Sequence, residues 1–225
     1  MNTLAPVTLA GLLAWGTLVG MDLVTFPQAL FSRPLIAGAG AGFLLGDPLT
    51  GVQVGLVLEL FALDVLPVGA ARYPDYGAGV VGATVLASGG PIGVTLGLAT
   101  LYALALAVLG GLTMQLLRNA NGRNVRRFAA GLAAGDPGTM ATIQYRGLVG
   151  DLLRSLALTT IAVLPAIRLA PLLPESGRFS LVSAVAVGCG VAAAVAGAVR
   201  SAGRGARLRW LLAGFGLGLL TVVLR

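Results

Sequence analysis

Leu35-Ile36-Ala37-Gly38-Ala39-Gly40-Ala41-Gly42-Phe43-Leu44-Leu45-Gly46-Asp47-Pro48-Leu49-Thr50-Gly51-Val52-Gln53-Val54-Gly55-Leu56-Val57-Leu58-Glu59-Leu60-Phe61-Ala62-Leu63 is the stretch that decides the fold. Two apolar pieces, Leu35 to Leu45 and Val52 to Leu63, flank Gly46-Asp47-Pro48, a turn signal that interrupts a helix. A helix crossing a bilayer needs about 20 apolar residues, so neither piece crosses alone. Gly77 to Ala87, set off by the Pro67 to Asp75 stretch, is no longer. This pattern predicts broken or re-entrant helices. Such interruptions persist at membrane depth only where protein or a watery cavity satisfies the freed amides and carbonyls.

Outward from this stretch the chain stays apolar. Leu4 to Val19 lacks a basic leader and is followed by Gly20, Met21 and Asp22 instead of a small-residue cleavage site, so it reads as a retained helix. Ile92 to Leu117, Leu148 to Ile167, Phe179 to Val199 and Trp210 to Leu224 are each long enough to span. Only 10% of the 225 residues are charged, against roughly a quarter in an average soluble domain, and mean hydropathy is +0.93. Lipid is therefore the solvent for most of the chain. The expected fold is all-α: a polytopic membrane protein, residues 1–225 forming one membrane domain. Residues 1–90 carry the short helices, 118–147 a basic cytoplasmic loop, and 148–225 the later spans, about four regular spans in all after the N-terminal half.

All fifteen basic residues are arginine, and they sit in gaps between apolar runs. Arg118 to Arg154 holds six of them against Asp136 and Asp151, and Arg200, Arg204, Arg207 and Arg209 fill a second gap without an acid. The positive-inside rule places both gaps on the cytoplasmic side, and the two spans between them keep the parity consistent. Nucleic-acid binding is excluded, because no soluble basic face is left for phosphate contacts. Cys189 is the sole cysteine and histidine is absent, which excludes a disulfide within the chain, cysteine or histidine metal sites and a serine triad. Neither a cofactor nor a metal site is expected, and an enzyme acting alone lacks a nucleophile and base. The 34 glycines read as close helix packing, since no glycine run follows a strand or carries a lysine that would make a phosphate cradle.

Five of the eight acids fall between Asp22 and Asp75. A carboxylate at the bilayer centre costs at least ~2.5 kcal/mol and persists with a partner or a pathway. Glu59, inside Val54 to Leu63, is the first candidate to accept the hydroxyls of a sugar; the alternative is an ion pair with Arg33 or Arg72. Asp64 is the second candidate, and Asp22, Gln28 and Asp75 bracket the short helices as further substrate-binding residues. For Asp47 a structural turn with an N-cap is the stronger reading.

Arg33-Pro34-Leu35-Ile36-Ala37, Gly46-Asp47-Pro48-Leu49-Thr50-Gly51, Gly55 to Glu59-Leu60-Phe61-Ala62-Leu63, Val68-Gly69-Ala70-Ala71 and Pro74-Asp75 together resemble the signature of the mannose and sorbose family of phosphotransferase system IIC subunits. The resemblance covers about residues 20 to 85 strongly and Gly135-Asp136 through Arg154 to Pro165-Ala166 more weakly. It implies a sugar-translocating permease of the bacterial cytoplasmic membrane, paired with a IID membrane subunit in a trimer of IIC–IID pairs. Phosphorylation of the sugar would come from the soluble IIB protein, recharged through IIA. Glu59 matches the family's glutamate and Asp75 its Pro-Asp position. The chain departs from the mannose type in carrying Asp64-Val65-Leu66-Pro67-Val68-Gly69 where that type has Gly-Trp-Met-Asn-Ile-Gly, and in the wider spacing of Asp22 and Gln28 from Arg33. Its C-terminal part is also shorter than usual. These departures keep a second expectation open: a degenerate family member acting as a membrane scaffold or regulatory subunit.

Overall fold

The computed structural model describes residues 4–64, 73–88, 92–173 and 180–202, together with residues 209 and 213. Among the described residues the fold is entirely helical: α1 (Pro6–Asp22), α2 (Pro34–Leu45), α3 (Pro48–Ala62), α4 (Gly77–Ala87), α5 (Ile92–Arg127), α6 (Ala129–Ala133), α7 (Pro137–Leu169), a 3-10 turn (Ala170–Leu172) and α8 (Ser180–Ala202). Proline opens α1, α2, α3 and α7, where its missing N–H is no loss and its fixed φ suits the first turn. At 12, 15 and 11 residues, α2, α3 and α4 are only about 17–22 Å long, against a hydrocarbon layer of about 30 Å. Among the described residues three helices, α5, α7 and α8, are long and apolar enough to cross. Apart from Ala213, the expected span Trp210 to Leu224 lies outside the described residues, as does Arg72.

The joint between α2 and α3 forms as its residues dictate. Gly46 takes a left-handed conformation (φ 75°) and ends α2, its N–H and that of Asp47 turning back to the carbonyls of Phe43 and Gly42. Asp47 then caps α3, its carboxylate accepting from the Thr50 N–H at 3.2 Å and the Thr50 hydroxyl at 2.5 Å. The two helices fold back in backbone contact. A Cβ on Gly42 would lie 2.6 Å from the Asp47 carbonyl oxygen and 2.9 Å from the Gly51 Cα; one on Gly55 would lie 2.7 Å from the Pro34 carbonyl oxygen. The glycines are spaced four apart on each helix, Gly38 and Gly42 facing Gly51 and Gly55, the arrangement that lets helices approach in lipid.

Every residue of α4 is buried, which fits a helix apolar on all sides. It is packed between α5, where Gly79 meets the Ala103 carbonyl, and α7, where Gly82 meets that of Ala162. α1 lies antiparallel to α7, with Gly16 against Thr159 and Gly20 against Ser155. The first turns of α8 and α5 adjoin, the Gly97 N–H donating to Ser183 Oγ at 3.0 Å, so the two helices run the same way. Leu101, Val108, Leu112 and Leu116 on α5, Leu153 on α7 and Leu181 and Val185 on α8 point outward, as lipid-facing side chains do.

The stretch 118–147, expected as a loop, is helical for most of its length. α5 continues ten residues beyond Leu117 through Arg118-Asn119-Ala120-Asn121-Gly122-Arg123-Asn124-Val125-Arg126-Arg127, α6 follows, and α7 begins at Pro137. Hydropathy marks where the apolar run stops, not where the helix does, and arginine is a good helix former in water. Arg154 and Asp151, counted by sequence among the charges of this basic gap, lie instead in the packed interior: Asp151 is fully buried and the Arg154 side chain is 7% exposed.

Candidate functional site

The connector between α1 and α2 is folded around one carboxylate. Asp22, the last residue of α1, is buried, and its two oxygens accept the Ala29 N–H at 2.6 Å and the Ser32 N–H at 2.8 Å. Between Asp22 and Ser32 the chain passes through a cis Phe26-Pro27 peptide bond and through two left-handed residues, Gln28 (φ 58°) and Leu30 (φ 68°). A branched side chain at positive φ is strained, and such strain persists where surrounding contacts over-determine it. Here the paired bonds to Asp22 hold the connector on both sides of Leu30.

This connector forms one wall of a cleft of about 300 Å³. Asp22, Gln28, Ser32 and Arg33 supply its polar groups, and Tyr73, Pro74 and Tyr76 form the opposite wall, with Leu23, Leu30, Pro34 and Ala62 completing the lining. Two charge clusters flank the cleft. In the first, Glu59 on α3 forms an ion pair with Arg33 and accepts the Leu35 N–H at 3.2 Å. Glu59 thus holds the guanidinium that borders the cleft, and does not line the cleft itself.

The second cluster is buried and centres on Arg154 of α7. Its Nη1 donates to Asp75 Oδ2 (2.8 Å), its Nε to Asp151 Oδ1 (2.9 Å) and its Nη2 to the Gly20 carbonyl of α1 (3.0 Å). The Thr25 hydroxyl donates to the other Asp151 oxygen, tying in the connector, and the second oxygen of Asp75 accepts the Gly77 N–H at 3.2 Å. Asp75, 1% exposed, is therefore committed to holding the Tyr73–Tyr76 wall, whose aromatic neighbours face the cleft. Tyr73 is fixed a second time, by Arg118 Nη2 donating to its hydroxyl at 2.7 Å while the guanidinium lies 5.1 Å from the ring centroid.

Of the residues singled out by sequence, Asp22, Gln28 and Arg33 meet at the cleft. Glu59 and Asp75 stand one shell behind it through Arg33 and the Tyr73–Tyr76 wall. Asp64 lies at the end of α3 in an ion pair with Arg200 of α8, away from the lining, and Asp47 caps α3. Sequence reasoning passed over Tyr73, Tyr76, Ser32 and Arg154. The available signal was the pair of tyrosines enclosing Pro74-Asp75. Among the described residues no group of three His, Cys, Asp or Glu side chains is placed to hold a metal ion.

Interrupted helices around a polar and aromatic cleft, backed by spanning helices, define a multi-pass membrane protein of the transporter type. The sequence model of the family described as PTS system sorbose-specific IIC component matches residues 5–195, so the chain belongs to that family of phosphotransferase permease components. It is 38% identical over 104 residues to the PTS system sorbose-specific EIIC component of Lacticaseibacillus casei, a match covering 46% of this chain and 36% of that protein. It is 39% identical over 77 residues to the PTS system mannose-specific EIIC component of Escherichia coli K12, covering 34% and 29%. The matched stretches thus span about a third of the length of these curated relatives. Two solved structures share the fold. One membrane protein superposes with a TM-score of 0.74 at 21% identity over 99% of this chain and 94% of its own. The ManYZ mannose transporter, solved with microcin E492, gives a TM-score of 0.59 at 22% identity over 100% and 89%.

Proposed function

We propose that this chain is the sugar-translocating IIC subunit of a phosphoenolpyruvate-dependent phosphotransferase system of the bacterial cytoplasmic membrane. It would hold a hexose-type sugar within the membrane for phosphorylation by a cytoplasmic IIB protein that IIA recharges. Its membrane partner would be a IID subunit, in a trimer of such pairs, and the chain is not catalytic by itself. The observation that carries the reading is the cleft between the Asp22-anchored connector and the Tyr73–Tyr76 wall. Its volume falls at the small end of ligand pockets, roughly 300–1,000 Å³, and it combines apolar surface with a few fixed polar groups. Tyrosine faces offer the apolar side of a pyranose a platform, and Asp22, Gln28, Ser32 and Arg33 offer acceptors and donors for its hydroxyls.

Tyr73 bonds to Arg118, just past the apolar run of α5, so the cleft lies toward the basic end of the helices. That position suits a state open to a cytoplasmic phosphoryl donor. A rigid-body shift of the short helices would carry a sugar there from a site at the membrane midplane. Direct binding tests the reading: a panel of labelled hexoses and amino sugars is equilibrated with the purified IIC–IID complex, native and with Tyr76→Ala. Saturable binding of one sugar that the variant weakens at least tenfold is expected. If the assembled native complex binds none of the panel, the reading fails and the scaffold role becomes the better account.

A further inference from the structure

We propose that the hairpin built from the end of α5, α6 and the start of α7 is a docking surface for anionic phospholipid head groups. Between residues 118 and 147 there are five arginines and one acid, Asp136. That acid is taken up locally: its carboxylate accepts the Gly138 and Thr139 N–H groups and the Thr139 hydroxyl at the start of α7. Arg118 is turned back onto Tyr73. Arg123, Arg126, Arg127 and Arg146 are exposed and form no ion pair with the described residues. No residue from 115 to 150 is buried, so the hairpin adds nothing to the core and lines no part of the cleft.

The apolar side chains beside these charges select the occupant. Val125, Met140 and Tyr145 are 44%, 48% and 69% exposed, and the Arg146 guanidinium lies over the Phe128 ring, 5.0 Å from its centroid. A surface serving water alone has no use for this mixture. Basic and aromatic groups mixed with short apolar side chains suit the boundary between head groups and acyl chains. The helix geometry agrees. The apolar run of α5 from Ile92 to Leu117 is about 39 Å long against a hydrocarbon layer of about 30 Å, so α5 crosses at a slant. At that slant its ten further residues, about 15 Å of helix, rise only about 12 Å beyond the hydrocarbon edge, which keeps their long arginine side chains within reach of the head-group phosphates. Arginine, with its planar fork of donors, matches phosphate oxygens two at a time.

The test needs no sugar or phosphocarrier, so it stands apart from the transport reading. The full chain is reconstituted in phosphatidylcholine vesicles carrying a trace of spin-labelled phosphatidylglycerol or spin-labelled phosphatidylcholine. Electron paramagnetic resonance then gives the relative association of the two lipids with the protein. A near-surface arginine is worth roughly fivefold for an anionic lipid, diluted over all lipid contacts, so at least a twofold preference for phosphatidylglycerol is expected. The variant Arg123→Gln/Arg126→Gln/Arg127→Gln/Arg146→Gln should lose more than half of that preference. About 1 M salt, where screening acts within roughly 3 Å, should do the same to the native protein. No preference in the native protein, or one that resists salt, overturns the proposal. Retention of most of the preference by the variant also overturns it and leaves the hairpin to an acidic soluble protein.

Discussion

Replacing Arg154 by alanine leaves Asp75 and Asp151 buried, at 1% and 0% side-chain exposure, without the cation that joins them. Removing one partner of a buried pair costs about 3–5 kcal/mol, because the remaining charge stays desolvated. At about 2–4 °C per kcal/mol for a chain of this size, the melting temperature should fall by roughly 6–20 °C. The same geometry orders the neighbouring variants. Asp151→Asn leaves Arg154 balanced by Asp75 and should cost clearly less than Arg154→Ala. Arg154→Lys keeps the charge but cannot reach Asp75, Asp151 and the Gly20 carbonyl together, and should fall between the two. Tryptophan fluorescence of the detergent-purified protein during heating reads all three. A change of no more than about 2 °C in Arg154→Ala, or an Asp151→Asn variant as unstable as Arg154→Ala, would show that the cluster is not held by this charge balance.

Other parts of the structure make separate demands. Gly51→Val puts a branched side chain where a Cβ already meets the Gly42 Cα at 2.8 Å, and should lower unfolding stability in detergent by at least about 1–3 kcal/mol. Asp22→Ala removes two hydrogen bonds to a buried carboxylate and should cost about 3 kcal/mol or more, while opening residues 24–31 to protease. The Asp136 carboxyl is held below the usual carboxylate range, first by the Thr139 hydroxyl and then by the Thr139 and Gly138 N–H groups. A depressed carboxyl stabilises above its unfolded pKa and ceases to do so as pH falls through the folded value. Hydrogen-exchange protection of the first turn of α7 should therefore be steady from neutral to mildly acidic pH, decline in strong acid, and be weak throughout in Asp136→Ala.

Much of this fold could be read from residues alone, because the interruption at Gly46-Asp47-Pro48 is local chemistry: a left-handed glycine, a capping carboxylate and a proline at the first helical position. Both ends of α2 and the C-terminal end of α3 fall within a residue of the apolar pieces that predicted them, while α3 begins four residues before Val52, at Pro48 behind its Asp47 cap. The end of α5 did not follow from hydropathy, since Arg118 to Arg127 leave the apolar run without leaving the helix. The site divides in the same way. Asp22, Gln28 and Arg33 belong to one short segment whose polarity stands out in an apolar chain, and they do meet at the cleft. Glu59 stood out for the same reason, but a pairing with Arg33 across 26 positions depends on how α2 folds back on α3. Arg154 and Asp151 read as loop charges because the contacts that bury them are distant in sequence: Asp75 is 79 residues from Arg154, and Thr25 is 126 from Asp151. The packing of α7 against α1, α4 and α5 brings these groups together.

The measurement that bears most directly on the central claim is phosphoenolpyruvate-dependent uptake of labelled hexoses and amino sugars. It would use vesicles holding this chain with a IID partner and the soluble phosphocarriers, comparing native protein with Glu59→Gln. Glu59→Gln removes the charge that pairs with Arg33 at the edge of the cleft and leaves one amide oxygen where two carboxylate oxygens served Arg33 and the Leu35 N–H. The account predicts that the native complex accumulates one sugar as its phosphate, and that uptake falls at least tenfold in an equally well assembled variant. Undiminished uptake in Glu59→Gln would contradict the placement of the site beside Arg33. An assembled native complex that moves no sugar would contradict the transport reading itself.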